Sequence, residues 1–64
     1  MIGERLYDLR KDAGMTQDEI ATKLGVSRAS VNKWETGKIK IKPAYLFAFC
    51  YLTGFKANDI FLPN

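Results

Sequence analysis

The apolar positions of this chain recur at helical spacing, and glycines cut them into blocks. Ile2, Leu6, Leu9 and Ala13 fall on one stripe of a segment whose other faces are charged, and Gly14 closes it. The spacing predicts a first helix over residues 2–13. Thr16-Gln17-Asp18-Glu19 then has the form of a capping box, in which the threonine hydroxyl takes the amide three residues on and Glu19 reaches back. A second helix is predicted over 17–24, with Ile20, Ala21 and Leu24 turned inward. Gly25 and Val26 make a corner, Ser27 is a natural N-cap, and a third helix follows over 28–36. Two short helices joined by so tight a corner fit a helix-turn-helix.

The third helix keeps little of itself for a core. At about 100° per residue, Arg28, Ala29, Asn32, Lys33 and Thr36 share an arc of about 140°, while Val31 and Trp34 lie opposite. An ordinary solvated face carries Glu/Lys pairs four apart; this arc carries no acid. Beyond Gly37, KIKIK alternates like a strand. With no partner strand to pair, it reads as an extended loop with Lys38, Lys40 and Lys42 pointing one way. Pro43 opens a fourth helix at the position proline tolerates, and Gly54 ends it. Its stripe is Leu46, Phe49, Cys50 and Thr53. Tyr45, Phe47 and Tyr51 are a surplus with two readings: a contact with a second subunit, or rings flanking the core with their outer edges wet. A last short turn is predicted at 57–61, laying Ile60 and Phe61 on the core. The expectation is a single all-α domain over residues 1–64, four helices and a last turn.

Composition narrows the chemistry. Sixty-four residues, 47% apolar, contain one cysteine and no histidine. An intramolecular disulfide is excluded, a zinc site lacks its ligands, and Cys50 reads as a small core residue. No acid–base pair or nucleophilic constellation is legible, so no enzyme and no cofactor are expected. The formal charge of +3 is mild, but Arg28, Lys33, Lys38, Lys40 and Lys42 share fifteen residues with a single acid, Glu35. Such a field suits a polyanion; the alternative is a solvated basic loop. The N-terminus MIGERLYDLRKD is charged from its fourth residue, unlike a leader peptide. The longest apolar run, Ala44–Leu52, is too short to span a bilayer. A cytoplasmic protein is expected.

TQDEIATKLGVSRASVNKWETGK resembles the helix-turn-helix of the Cro/CI (XRE-like) family of phage and bacterial transcriptional regulators. The glutamine opening helix two, the Ala-x-x-x-Gly through the corner and the Trp-Glu-x-Gly-Lys exit carry the resemblance, which runs from about Leu6 to Leu62. The ending DIFLP is similar to regulators of Gram-positive bacteria and their phages. Lys56 departs from the family's usual Ser or Thr cap, which leaves the last turn either capped by Asn58 or loose. The resemblance implies a compact lambda repressor-like DNA-binding fold of five helices, the last turn counted as the fifth. It implies base reading by Arg28, Ala29, Asn32 and Lys33. Phosphate contacts would come from Thr16, Gln17, Ser27, Thr36, Lys38, Lys40, Lys42 and the amides near Gly37. Gln17 would also brace the start of helix three, and Arg10 would pair with Glu35.

The implied function is a sequence-specific regulator, a Cro-like phage or prophage repressor that reads a short palindromic operator. Its partners would be double-stranded DNA and a second copy of itself, with no membrane and no small-molecule ligand. Tyr45, Phe47, Tyr51, Phe61 and Leu62 are the candidate homodimer contacts. The alternative is an antitoxin or adaptor that uses the same fold to bind a protein.

Overall fold

In a computed structural model of the protein, residues 2–54 are described, Ile2 for its backbone only. Four helices follow one another: α1 Ile2–Asp12, α2 Gln17–Leu24, α3 Arg28–Glu35 and α4 Pro43–Thr53. Among the described residues the domain is all-α with four helices, not the five expected. At Gly54 the backbone leaves the helical path, its N–H bonded to the Cys50 and Tyr51 carbonyls. The turn placed at 57–61 lies outside the described residues, as do Lys56, Asn58, Ile60, Phe61 and Leu62.

Local chemistry sets the helix ends. The Glu19 N–H donates to Thr16 Oγ1 at 3.1 Å and the Thr16 N–H to Glu19 Oε1 at 2.9 Å, completing the capping box. That backbone donor holds the Glu19 carboxylate below the usual carboxylate range. The box therefore contributes fully at neutral pH and is lost as acid protonates Glu19. Gly25 closes α2 at φ 72°, a left-handed conformation that costs glycine least, while the Val26 N–H returns to the Ala21 carbonyl. Ser27 Oγ accepts the Ser30 N–H at 3.1 Å and starts α3 three residues after α2 ends. Ala13, expected at the inward end of α1, is exposed. Its N–H still bonds Leu9, but the Gly14 and Met15 amides fold back onto Lys11 and Arg10 and turn the chain there.

The core joins Leu6 and Leu9 of α1, Ile20 and Ala21 of α2, Val31 and Trp34 of α3, and Leu46, Phe49 and Cys50 of α4. α3 and α4 both pack on α1 and α2. Ile41 joins the core at 6% exposure while Ile39 stays 49% exposed. The segment after α3 is thus not an extended ribbon, in which residues two apart share a face. Tyr45 tilts onto Trp34 with ring centroids 5.4 Å apart, joining α4 to α3. Leu24, Val26 and Leu52 are half-buried against this core.

α1 meets the end of α3 backbone to backbone at Gly3. A Cβ there would stand 2.8 Å from the backbone oxygens of both Trp34 and Glu35. In an open helix a Gly-to-Ala exchange stabilises by up to about 1 kcal/mol. Here the obstacle is backbone, and overpacking of that kind costs about 1–3 kcal/mol. Gly3→Ala is therefore expected to lower the urea midpoint of unfolding; a midpoint at or above that of the parent chain would show that α1 and α3 separate freely.

Candidate nucleic-acid interface

The outward side of α3 is set by what its inward side holds. Val31 and Trp34 are buried, so Arg28, Ala29, Asn32, Lys33 and Thr36 are exposed together. The first turn of α3 contains no acid, whereas that of α2 contains Asp18 and Glu19. The partial positive charge at the start of α3 thus meets no acid within its own first turn, beside Arg28.

Glu35 fixes the other end of the helix. Arg10 approaches it side-on, Nε donating to Oε2 at 2.7 Å and Nη2 to Oε1 at 3.0 Å. The two side chains are 7% and 3% exposed. The remaining guanidinium nitrogen, Nη1, donates to the Met15 carbonyl at 2.9 Å, and Tyr7 lies under the guanidinium with Cζ 5.2 Å from its ring centre. Hydrogen bonds to Glu35 raise the Arg10 pKa above its already high ordinary value, against the opposing pull of burial. Gln17 completes the cluster, its Nε2 donating to Glu35 Oε1 at 3.1 Å. The resemblance placed the brace from Gln17 at the start of the third helix; the bond runs to its last residue. Helical periodicity carries no sign of this tie, because the partners are eighteen residues apart in the chain.

The remaining candidate residues fall into two groups. Gln17, Arg28, Ala29 and Asn32 line one shallow depression of about 270 Å³. Lys33 is exposed one turn further along, and Lys38, Lys40 and Lys42 are exposed on the loop between α3 and α4. Several implied phosphate donors are already engaged. Thr36 Oγ1 donates to the Asn32 carbonyl at 2.9 Å, and the Gly37 and Lys38 amides bond the Trp34 and Lys33 carbonyls at 3.3 and 2.9 Å. The two amides close α3 and are not turned out to a ligand. Thr16 and Ser27 use their hydroxyl oxygens as caps. Each keeps a proton it can offer, though Ser27 Oγ also stands 3.0 Å from Ser30 Oγ.

The sequence pattern of the helix-turn-helix family matches residues 6–54, from the second turn of α1 to the end of α4. This chain belongs to the XRE-type (Cro/CI-like) helix-turn-helix family. It is similar to the HTH-type transcriptional activator BcrR of Enterococcus faecalis, with 46% identity over 35 residues, 55% of this chain. The match covers 17% of that protein's length. No solved structure matches. Membership in the family assigns the helix-turn-helix its general role, DNA binding in transcriptional regulation, and such domains are non-catalytic. Among the described residues no group of His, Cys, Asp and Glu could hold a metal ion, and no helix is long and apolar enough to cross a membrane.

Breaking the Arg10–Glu35 pair from one side leaves a buried charge without its counter-ion. Arg10→Met is expected to destabilise the XRE-type domain by about 3–5 kcal/mol, and Arg10→Met combined with Glu35→Leu by much less. Urea unfolding of both variants checks this; a double variant as unstable as the single one would show that shape, not charge pairing, sets the cost.

Proposed function

We propose that the chain acts as a Cro-like regulator, of phage or prophage type, that binds a short palindromic operator with α3 in the major groove. The exposed, acid-free arc of α3, opposite its buried side, carries this reading. Arg28 and Lys33 have the donors to address guanine O6 and N7. The Ala29 methyl suits a thymine methyl, and the Asn32 amide suits a base edge or a phosphate. Gln17, in the same depression as Arg28, Ala29 and Asn32, would meet the sugar-phosphate strand. So would Thr16, Ser27 and, once its hydroxyl leaves the Asn32 carbonyl, Thr36. Lys38, Lys40 and Lys42 would add charge, making affinity fall as salt rises. The similar Enterococcus protein is an activator by name. DNA reading through α3 is common to activation and repression, and the proposal stands on that reading in a cytoplasmic protein.

A second reading, protein binding as in an antitoxin or adaptor, is favoured by Phe47 and Tyr51, which are 56% and 84% exposed on α4. We assign this pair to a second copy of the chain. α4 carries no charged residue, so two chains of net charge +3 can meet there without opposing like charges. Tyr45 contributes less, since it is half-buried on Trp34. Phe61 and Leu62, the other implied contacts, lie outside the described residues. A homodimer would present two α3 helices to successive major grooves, about 34 Å apart.

Selection from randomised duplex DNA should return a palindrome, and Lys33→Ala should relax preference at one base-pair position per half-site, by about 1–3 kcal/mol. An unchanged preference profile would remove Lys33 from the reading edge. Phe47→Glu is expected to weaken self-association by about 2 kcal/mol or more, as for a central interface residue, in sedimentation equilibrium. Equal association by both chains would move the interface off α4.

A further inference from the structure

Lys11 lies outside the helix-turn-helix, in the last turn of α1, and is exposed. It lines an open groove of about 480 Å³ together with Thr16, Gln17 and Arg28. Two more charged residues line it, Arg10 and Asp18. Arg10 is neutralised by Glu35, which leaves Lys11 and Arg28 against the single charge of Asp18. Lys11 forms no ion pair among the described residues.

We propose that Lys11 is a further contact to the DNA sugar-phosphate backbone, extending the footprint from α2 and α3 to the end of α1. The contact rests on the reading of α3 as the DNA-facing helix. The groove shares Gln17 and Arg28 with the depression that also holds Ala29 and Asn32. A strand that passes the reading edge at Arg28 and Gln17 therefore has a continuous path to Lys11. A lysine ammonium is a strongly hydrated point charge on a flexible stem, suited to a phosphate rather than to fork-like recognition of a base. A cation in the last turn of a helix also interacts favourably with the helix dipole. That role acts on folding stability and leaves the salt dependence of DNA binding where it is.

The test is binding of the full chain to random-sequence and selected duplexes across a salt series, for the parent chain, Lys11→Gln, Lys11→Arg and Lys23→Gln. Lys23 is an exposed lysine on α2, beside Asp18 and Glu19 in another depression that contains neither Gln17 nor Arg28, and its replacement removes the same charge elsewhere. Lys11→Gln is expected to reduce the slope of log K against log salt by about 0.9 on both duplexes, without changing sequence preference. Lys11→Arg and Lys23→Gln should keep the parent slope. A parent slope retained in Lys11→Gln would overturn the contact, as would an equal loss in Lys23→Gln, which would mark a general field. A parent chain with no salt-dependent duplex binding would instead sink the reading of α3 itself, and the contact with it.

Discussion

The Arg10–Glu35 ion pair is the constraint on which the rest of this structure depends. Removing two charges from water costs several kcal/mol each, and only excellent geometry with every remaining polar atom satisfied offsets it. The arrangement meets that condition: a two-point contact, the third nitrogen on the Met15 carbonyl, and Gln17 on the carboxylate. No buried side-chain nitrogen or oxygen among the described residues lacks a partner. These bonds reach α1, the loop after it, the start of α2 and the end of α3 at once. A pair of this kind is weak evidence for added stability. Its directional bonds instead fix how three helices meet, which apolar contacts alone specify loosely.

α3 has particular need of such a device. At eight residues it is well below the roughly 12–15 residues at which an isolated helix becomes even marginal in water. Its apolar hold is Val31 and Trp34 alone, because Arg28, Ala29, Asn32 and Lys33 are spent on an exposed arc. Ser27 secures the start, Glu35 the end, and the absence of a side chain at Gly3 lets α1 press against its last turn. The helix is held by its two ends and one side so that the opposite side stays open.

What was legible in the chain follows the range of the interactions involved. The limits of α2 and the start of α3 were readable because the capping box, Gly25 and Ser27 act within three or four residues. Leu6, Leu9, Ile20, Val31 and Phe49 were readable from period alone. Ile41 was not: alternation puts it with Ile39, and only the turn of the loop after α3 separates them. Gly3 reads as a poor helix residue until the carbonyls of α3 are seen against it. The link from Gln17 to Glu35 had no local signature, and a family resemblance alone set Arg10 opposite Glu35. The turn at 57–61 was read from the pattern, and only its count as a fifth helix was an inheritance from that resemblance; it lies beyond the described residues.

The tie from Gln17 to Glu35 bears on how affinity and specificity are joined in the proposed complex. Phosphate contacts set the register of a protein on DNA, and base contacts then read what that register presents. Gln17 lies at the proposed phosphate side, in one depression with Arg28, Ala29 and Asn32, yet its amide is bound to the carboxylate that ends the reading helix. A shift of the strand against Gln17 therefore pulls on α3 through Glu35, and a misplaced α3 displaces Gln17. Since Glu35 is also held by Arg10 at 2.7 Å, such movement is opposed by α1. In the proposed complex the same carboxylate would tie the reading edge to its phosphate anchor, so that a register error at one would be felt at the other.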